Sequence, residues 1–423
     1  MNSKSIVKKF LMTLCCIVLG ASILPADDWP GWSGRLGTGI STESNLPLAW
    51  GPDKNIHWKI DIPGKGMSSP VIVGDRIYLT TQTGDNGLHV IAIDRLKGGI
   101  LWDRKIGAGR LKTHDFHNMA TPTPTADSSN VWALFGTGDM VCLTKDGEQI
   151  WKRNLQKDHG KYEIMWGMGT SPVMHGNRLF VACMHQGPSY VLAVDSITGK
   201  DIWKKLRQPE SKGEALDSYS SPVILPTDQG TQLIVSGADH INAYDVDSGN
   251  EIWISSGLQV PHPYGRSISG PTANQEMIVT VASGFQNRGK VMALKTGGHG
   301  IITDSHLAWT MDRFSPDCPS PIIYKGLVYF IRDDGIASCI DLKSGEPHWQ
   351  ERLFKNNVKV SPVAGDNKIY FMSGQGSCKV LKAGPKMDVL AENDLDENTL
   401  CTPAISQGSL YIRTEHRLYS VGL

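Results

Sequence analysis

The sequence predicts an all-β chain, an eight-bladed β-propeller of four-stranded antiparallel blades closed by an N-terminal strand. Two repeats running out of step with each other carry this expectation, and the two ends of the chain add a third observation. The first repeat is a tryptophan placed four residues after a turn glycine, as in "AVDSITGKDIW" ending at Trp203, and it recurs at Trp102, Trp151, Trp253 and Trp349. The second is a small residue, a proline and an apolar run, with eight prolines at Pro70, Pro122, Pro172, Pro222, Pro271, Pro321, Pro362 and Pro403. Self-similarity at a fixed period marks a repeat architecture.

The prolines are 41 to 52 residues apart, room for four strands of about five or six residues and their turns. Within each unit apolar residues recur at period two, as in Ile77 and Leu79 or Leu233 and Val235, with Asp-Gly, Gly-Asp and Gly-Asn turns between runs. Each unit therefore reads as strand A (from the proline), B, C (ending in Ala-x-Asp) and D (holding the tryptophan). A row of such sheets exposes its end edges, and radial closure hides them. After Pro403 only three strands remain, while "NIHWKIDI" around Trp58 precedes the first proline and supplies the missing D strand. The residues before the prolines are Ser69, Thr121, Ser171, Ser221, Gly270, Ser320, Ser361 and Thr402, all small, which suits a ring of strands crowding an axis.

Lys4, Lys8 and Lys9 precede an apolar run from Phe10 to about Ile23, so residues 1–26 read as a secretory signal. Export to the periplasm or beyond follows as an expectation, without a lipid anchor, because Leu14 before Cys15 is not the small residue a lipidation site wants. Residues 27–55 form a leader and residues 56–423 the propeller. The 42 basic and 42 acidic residues balance, so no nucleic-acid footprint is present, and no later segment is long and apolar enough to span a bilayer. Cys142, Cys183, Cys318, Cys339, Cys378 and Cys401 show no CxxC spacing and are expected to be small buried thiols.

The shared element, Ala-x-Asp-x-x-(Thr/Ser)-Gly-x-x-x-Trp, resembles the PQQ-like (pyrroloquinoline-quinone-type) propeller repeat, a family that includes quinoprotein dehydrogenases and BamB-like assembly lipoproteins. The match runs from Trp58 to Leu423, and "DDWPGWSGRLGTGIS" over residues 27–41 is similar to the start of exported planctomycete members. The resemblance implies that Trp58, Trp102, Trp151, Trp203, Trp253, Trp309 and Trp349 fasten neighbouring blades, each indole stacking on the alanine-bearing strand and peptide of the adjacent repeat. Unit two has Leu143 and Lys145 for the Ala and Asp, unit five has Lys295 for the Asp and an insertion "HGIITDS" before Trp309, and unit seven has no tryptophan. The fifth and seventh interfaces are therefore expected to be the least regular.

The resemblance also frames the chemistry. A quinoprotein dehydrogenase needs calcium, an aspartate base, aromatic stacking on the quinone and, in many members, two adjacent cysteines. Beyond the signal no two cysteines are adjacent, so no cofactor is expected, with PQQ and calcium as the alternative. The expected function is an exported, non-catalytic, monomeric binding scaffold for a protein, peptide or carbohydrate partner. The alternative is a PQQ- or metal-dependent oxidoreductase. Propellers bind where the D-to-A and B-to-C loops gather, and the long D-to-A loops carry His114 and His117, His159 and Trp166, Asp217 and Tyr219, and His262, Tyr264 and Arg266. His114 and His117, joined by His159 or His262, are the candidates should a metal bind; the favoured reading has none. Asp139, Asp239 and Asp334 of the B-to-C turns read as turn residues. GxSxG, HExxH, Walker and GxGxxG motifs are missing from any fitting context, and no catalytic residue is assigned.

Overall fold

The computed structural model describes residues 28–110, 113–284, 288–355 and 357–422. The expected export signal over residues 1–26 lies outside them. The described strands form eight sheets around an axis, and in each the A, B, C and D strands pair antiparallel in chain order. The third blade is representative: Val173–His175, Arg178–Cys183, Tyr190–Asp195 and Asp201–Leu206. The B and C strands are buried on both faces, so they read as near-continuous apolar runs, whereas the outer D strands alternate. Closure is as expected. Ile56–Asp61 pairs with Arg417–Val421 and completes the eighth blade alongside Ser409–Arg413 and Ala404–Ser406.

The indole contacts between blades show why the element has its composition. A Cβ placed on Gly249 would lie 2.5 Å from Trp203 Cδ2, and one on Gly199 would lie 2.6 Å from Trp151 Cδ2. Both glycines have φ of 70°, so a side chain there meets backbone strain and the ring together. Each docked indole also donates its N–H to a carbonyl of the same turn in the next blade. Trp58 bonds Arg95 O at 2.8 Å, Trp102 bonds Lys145 O at 2.8 Å, Trp151 bonds Ser196 O at 2.9 Å, Trp203 bonds Val246 O at 3.2 Å and Trp309 bonds Leu342 O at 2.9 Å. The part of the adjacent repeat that meets the indole is thus its glycine turn. The alanine is the cross-strand partner of its own blade's tryptophan, as Ala193 is of Trp203.

The irregular interfaces fall differently from expectation. Trp309 of the fifth blade docks regularly, whereas Trp253, one blade earlier, bonds Gln232 Oε1 of its own blade. Its strand is covered by the fifth unit's insertion, whose Gly300–Ile301 adds a parallel fifth strand to the fourth blade. Likewise Trp349 Nε1 of the sixth blade, facing the divergent seventh, has no hydrogen-bond partner. An indole needs the next blade's glycine turn and its carbonyl, so units five and seven, whose turns have drifted, spoil the interfaces at which they receive, whereas unit two keeps Gly147 and receives Trp102 regularly.

The leader replaces the tryptophan that unit seven lacks. The backbone N–H of Trp50 donates to Asn393 Oδ1 at 2.8 Å, and its ring, whose own N–H has no partner, lies 6.3 Å from Tyr370, the spacing that Trp349 keeps from Tyr329 in the sixth blade. Before that, the leader crosses the face of the A-to-B hairpins. Trp29 bridges to Ile72, Pro30 O accepts from Ala126 N–H, Leu36 O from Ile224 N–H, Gly39 O from Ala364 N–H, and Glu43 takes the Gln407 and Gly408 N–H groups.

At the axis, the small residues form a hydrogen-bonded chain. Ser69 N–H donates to Thr123 Oγ1 at 2.9 Å, Thr123 to Ser171 at 3.0 Å and Ser171 to Ser221 at 2.9 Å. Gly270 donates to Ser320 at 2.8 Å, Ser320 to Ser361 at 2.9 Å and Ser361 to Thr402 at 3.3 Å. One position corrects the sequence expectation: in the second blade Thr123-Pro124, not Thr121-Pro122, occupies the ring, because the A strand Thr125–Ala126 starts after the second of the two Thr-Pro pairs. The six cysteines are free thiols, five of them buried and Cys318 partly so.

A buried indole hides on the order of 200 Å² of surface, worth about 5 kcal/mol before entropy is counted. Trp203→Ala is therefore expected to destabilise the fold by about 3–5 kcal/mol. Trp50→Ala should cost a similar amount although it belongs to no repeat, and chemical denaturation of the two variants reads both values.

Candidate binding site

Because strands alternate at period two, the residue two positions before each ring residue also faces the axis. The structure places Met67, Thr121, Gly169, Tyr219, Ile268, Cys318, Lys359 and Leu400 there, as a second ring above the small residues. Together the two rings enclose a cavity of about 400 Å³. Trp32 of the leader closes its far end, with ring carbon Cη2 3.0 Å from where a Cβ on Gly270 would sit, and this is the one ring position without a hydroxyl or a methyl. The channel is thus blind on the leader side and opens on the side where the D-to-A loops gather. A wider mouth of about 750 Å³ continues from it, sharing His114, Trp166, Tyr219, Arg266 and Asp317 with the inner cavity.

The loops hold these side chains by their own pairing. Ser218 bridges to Met184 and to Ser267, Tyr219 N–H donates to Ser267 O at 2.9 Å, and Arg266 bridges to Ser283, so the third, fourth and fifth blades' loops are laced together. Gly169 is small because the rings of Tyr219 and His117 rest on it, at 3.0 and 3.5 Å from a Cβ built there. His117 meets Tyr219 edge-on at 5.9 Å, and His114 meets Trp166 at 5.1 Å and Phe116 at 5.4 Å. From the loop before the seventh blade, Lys359 Nζ reaches Phe116 at 4.8 Å from the ring centre.

Of the residues expected at the face, His114, His117, Trp166, Asp217, Tyr219, Tyr264 and Arg266 line the cavity or its mouth. Two do not. His159 ends the short helix Leu155–His159 and lies 3.3 Å from Asp201 Oδ2 and 5.2 Å from the Tyr190 ring, out along the third blade. His262 packs on Tyr264 at 5.3 Å and lines neither space. His114 and His117 are accordingly not joined by a third histidine, and among the described residues the metal-compatible group is Asp317, Cys318 and Asp333. Asp334, expected as a turn residue only, reaches the mouth and pairs with Arg332.

Trp32, Asp317, Cys318, Asp333 and Lys359 also line these spaces although they lie on the leader and the shorter loops, and Phe116 joins them from the same long loop as His114 and His117. Counting back two residues from Ser320-Pro321 and Ser361-Pro362 reaches Cys318 and Lys359 directly.

The charges at the site are largely spoken for. Arg266 pairs with Glu214 at 2.9 Å and Lys359 with Asp333 at 2.6 Å. Burial pushes the Asp217 carboxyl up to about 6, with Glu214 adding, while the Gln186 amide and Arg266 pull the other way. Asp317 is raised too, by burial first and then by Asp333. Burial lowers His117 to about 4, helped by His114 and Arg110, so its imidazole is neutral near pH 7. His117 Nε2 and Asp217 Oδ1 are both buried and have no hydrogen-bond partner.

A family profile described as "Outer membrane protein assembly factor BamB" matches residues 36–191 and 187–421. The chain belongs to this PQQ-like propeller family. Within it, the chain is 22% identical over 322 residues to BamB of Yersinia pestis, covering 74% of this chain and 75% of that one. It is 23% identical over 270 residues to a polyvinylalcohol dehydrogenase of a Pseudomonas species, covering 54% of this chain and 40% of the dehydrogenase, so it spans less than half of that relative's length. Among solved structures, BamB of Moraxella catarrhalis superposes with a TM-score of 0.62 at 13% identity over 87% of this chain and 97% of that one. A europium-containing methanol dehydrogenase superposes with 0.67 at 11% identity over 94% and 98%. Both structural likenesses speak to the fold alone.

The dehydrogenase branch of this family calls for a quinone with a metal ion, and the donors at hand do not fit calcium. Calcium takes about six to eight oxygen ligands, whereas the group here offers two carboxylates and a thiol. Asp333 Oδ1 already accepts from Lys359 Nζ at 2.6 Å, and its Oδ2 accepts from Asp317 N–H at 2.6 Å and Cys318 N–H at 3.3 Å. Burial, reinforced by both aspartates, keeps the Cys318 thiol well above its ordinary range and hence protonated. An ammonium group bonded to the central carboxylate repels a dication.

Asp217 also has a pH signature. In the unfolded chain it ionises near 3.8, and in the folded one near 6. Its contribution is most favourable below pH 3.8 and is lost as pH rises to about 6, leaving the native state short by up to about 3 kcal/mol at neutral pH. His117 acts oppositely, costing stability as pH falls from 6.5 toward 4. Asp217→Asn is therefore expected to raise the melting temperature near neutral pH and to change it little near pH 4; thermal melts across that range check the sign.

Proposed function

We propose that this chain is an exported, non-catalytic propeller that binds a protein, peptide or carbohydrate partner at the face where its D-to-A and B-to-C loops gather. The observation that carries the reading is the blind cavity, closed by Trp32 beneath and edged by aromatic side chains above. Such a shape, a concave site whose walls mix aromatic and other apolar side chains with a ring of hydroxyls and a few charged groups, suits ligand capture. Around its mouth Met165 and Tyr264 are exposed at 66% and 53%, and exposed Met and Tyr beside a buried pocket are what protein recognition surfaces favour. Relatives named as outer membrane protein assembly factors support a protein-facing role. No described helix is long and apolar enough to cross a membrane.

The competing reading is a quinone-dependent oxidoreductase, favoured by the dehydrogenase relatives. The lysine-bonded Asp333 and the protonated Cys318 weigh against it. The two readings separate in a calorimetric titration of the mature chain with PQQ and calcium, run beside dye-linked oxidation assays on alcohols and sugars. The expected outcome is no saturable heat and a flat assay. Stoichiometric PQQ binding with turnover would establish the oxidoreductase instead.

A further inference from the structure

The inner cavity is lined by hydroxyls whose oxygens are engaged and whose hydrogens are not. Thr123, Ser171, Ser221, Ser320, Ser361 and Thr402 each accept a backbone N–H from the preceding blade. A hydroxyl keeps one hydrogen to donate besides the lone pairs that accept, and among the described residues none of these six donates to a protein acceptor. Serines beside the ring do donate: Ser68 Oγ to Thr80 O at 3.2 Å and Ser269 Oγ to Pro319 O at 3.0 Å. The six ring residues are 1–6% exposed and all line the cavity. A buried donor without an acceptor costs stability, and here it recurs around the axis until something in the cavity accepts.

Polarity changes with depth. Two residues before Ser361, Lys359 adds an ammonium to the same sector of the cavity. An ammonium has three N–H donors, of which Asp333 Oδ1 takes one at 2.6 Å. Neither ring of axial residues contains a carboxylate. The carboxylates of Glu214, Asp217, Asp317, Asp333 and Asp334 all line the mouth above, with Asp317 bordering both spaces. Donors therefore lie deep and acceptors lie higher. Trp32 closes the floor, so a chain enters by its end and does not pass through.

The chain end that matches this order is a C-terminus. Its carboxylate carries acceptors to the donor-lined floor, and the amide N–H groups behind it face the acceptors of the mouth. An amino terminus has the reverse polarity and sets a cation against Lys359. A compact polyanion such as phosphate passes the carboxylates of the mouth with no group to offset them. Resting on the binding reading above, we propose that the pocket captures the free C-terminal carboxylate of a protein partner, which accepts hydrogen bonds from the hydroxyls of Ser320, Ser361 and Thr402 and from Lys359 Nζ. The residues preceding it lie against Trp166 and Tyr219. Hydrogen bonds to an ionised acceptor are roughly twice as strong as neutral ones, so a carboxylate draws more from this ring than water or an amide does.

The test is intrinsic tryptophan fluorescence of the mature protein, since Trp32 and Trp166 both border the cavity. The probe is a pool of N-acetylated tetrapeptides of random sequence, free of Trp and Tyr, made once as free acids and once as C-terminal amides. Sodium acetate supplies a small carboxylate without a peptide. The acid pool is expected to give a saturable change and to bind about tenfold or more tightly than the amide pool. Thr402→Val, which keeps the shape and removes the hydroxyl, and Lys359→Gln should each reduce that acid-over-amide preference by about tenfold, and Thr402→Ser should restore it. Circular dichroism confirms that the variants remain folded. The proposal is overturned if no acid saturates up to roughly 10 mM, if acids and amides bind alike, if acetate alone binds as tightly as the acid pool, or if both variants keep the full preference. Peptides that do not bind while PQQ also stays unbound remove the C-terminal site and leave the binding propeller. Turnover with PQQ and calcium in a protein that still prefers peptide acids overturns the non-catalytic reading alone.

Discussion

One blade's indole resting on the glycine turn of the next is the contact on which this molecule depends. Each such pair puts a large apolar ring on a peptide that has no side chain to obstruct it and ties the ring down through its N–H. Blade sheets by themselves share few bonds, because hydrogen-bond ladders run within blades and not between them. The outer indoles and the inner chain of small residues are therefore the two seams, one at the rim and one at the axis. Where the rim seam fails, the chain finds substitutes: an inserted strand over Trp253, and Trp50 of the leader beside Tyr370.

The leader does more than patch a gap. Closing the ring with an N-terminal strand obliges the preceding chain to reach the eighth blade from outside, and it does so by crossing the hairpin face. That path carries Trp32 onto the axis, where Gly270 leaves space for it. A propeller channel open at both ends becomes a pocket with a floor. The same interruption of the hydroxyl chain, a glycine among serines and threonines, thus follows from how the ring is closed.

Above that floor the site mixes paired charges with aromatic surface. Lys359 comes from the loop before the seventh blade and satisfies an aspartate from the sixth, while also covering Phe116 from the loop before the second. Contacts of this kind span the axis and hold the mouth in one shape. Burial keeps the imidazole of His117 uncharged at neutral pH, while the Asp217 carboxyl, raised to about 6, is ionised there against the cost of its burial.

The number of blades, their closure and the elements that build them were legible in the sequence because each follows from local pattern: period-two alternation, a turn glycine, a tryptophan at a set distance and a strand too few at one end. Seven of the nine residues placed at the loop face do border the cavity, since consecutive D-to-A loops must converge on one side of a ring. The duplicated Thr-Pro of the second blade was ambiguous, as either pair satisfies the pattern and only strand register chooses Thr123-Pro124. The placements of Trp32 and Trp50 and the pairing of Lys359 were beyond the sequence for a different reason. Their partners Gly270, Tyr370 and Asp333 belong to other blades, and nothing in local spacing records which of many surfaces a leader or a short loop will meet. Sequence by itself determined the repeating unit and its closure; tertiary structure decided that the channel is blind and which charges inside it are already paired, because those depend on distances between blades that no single repeat encodes.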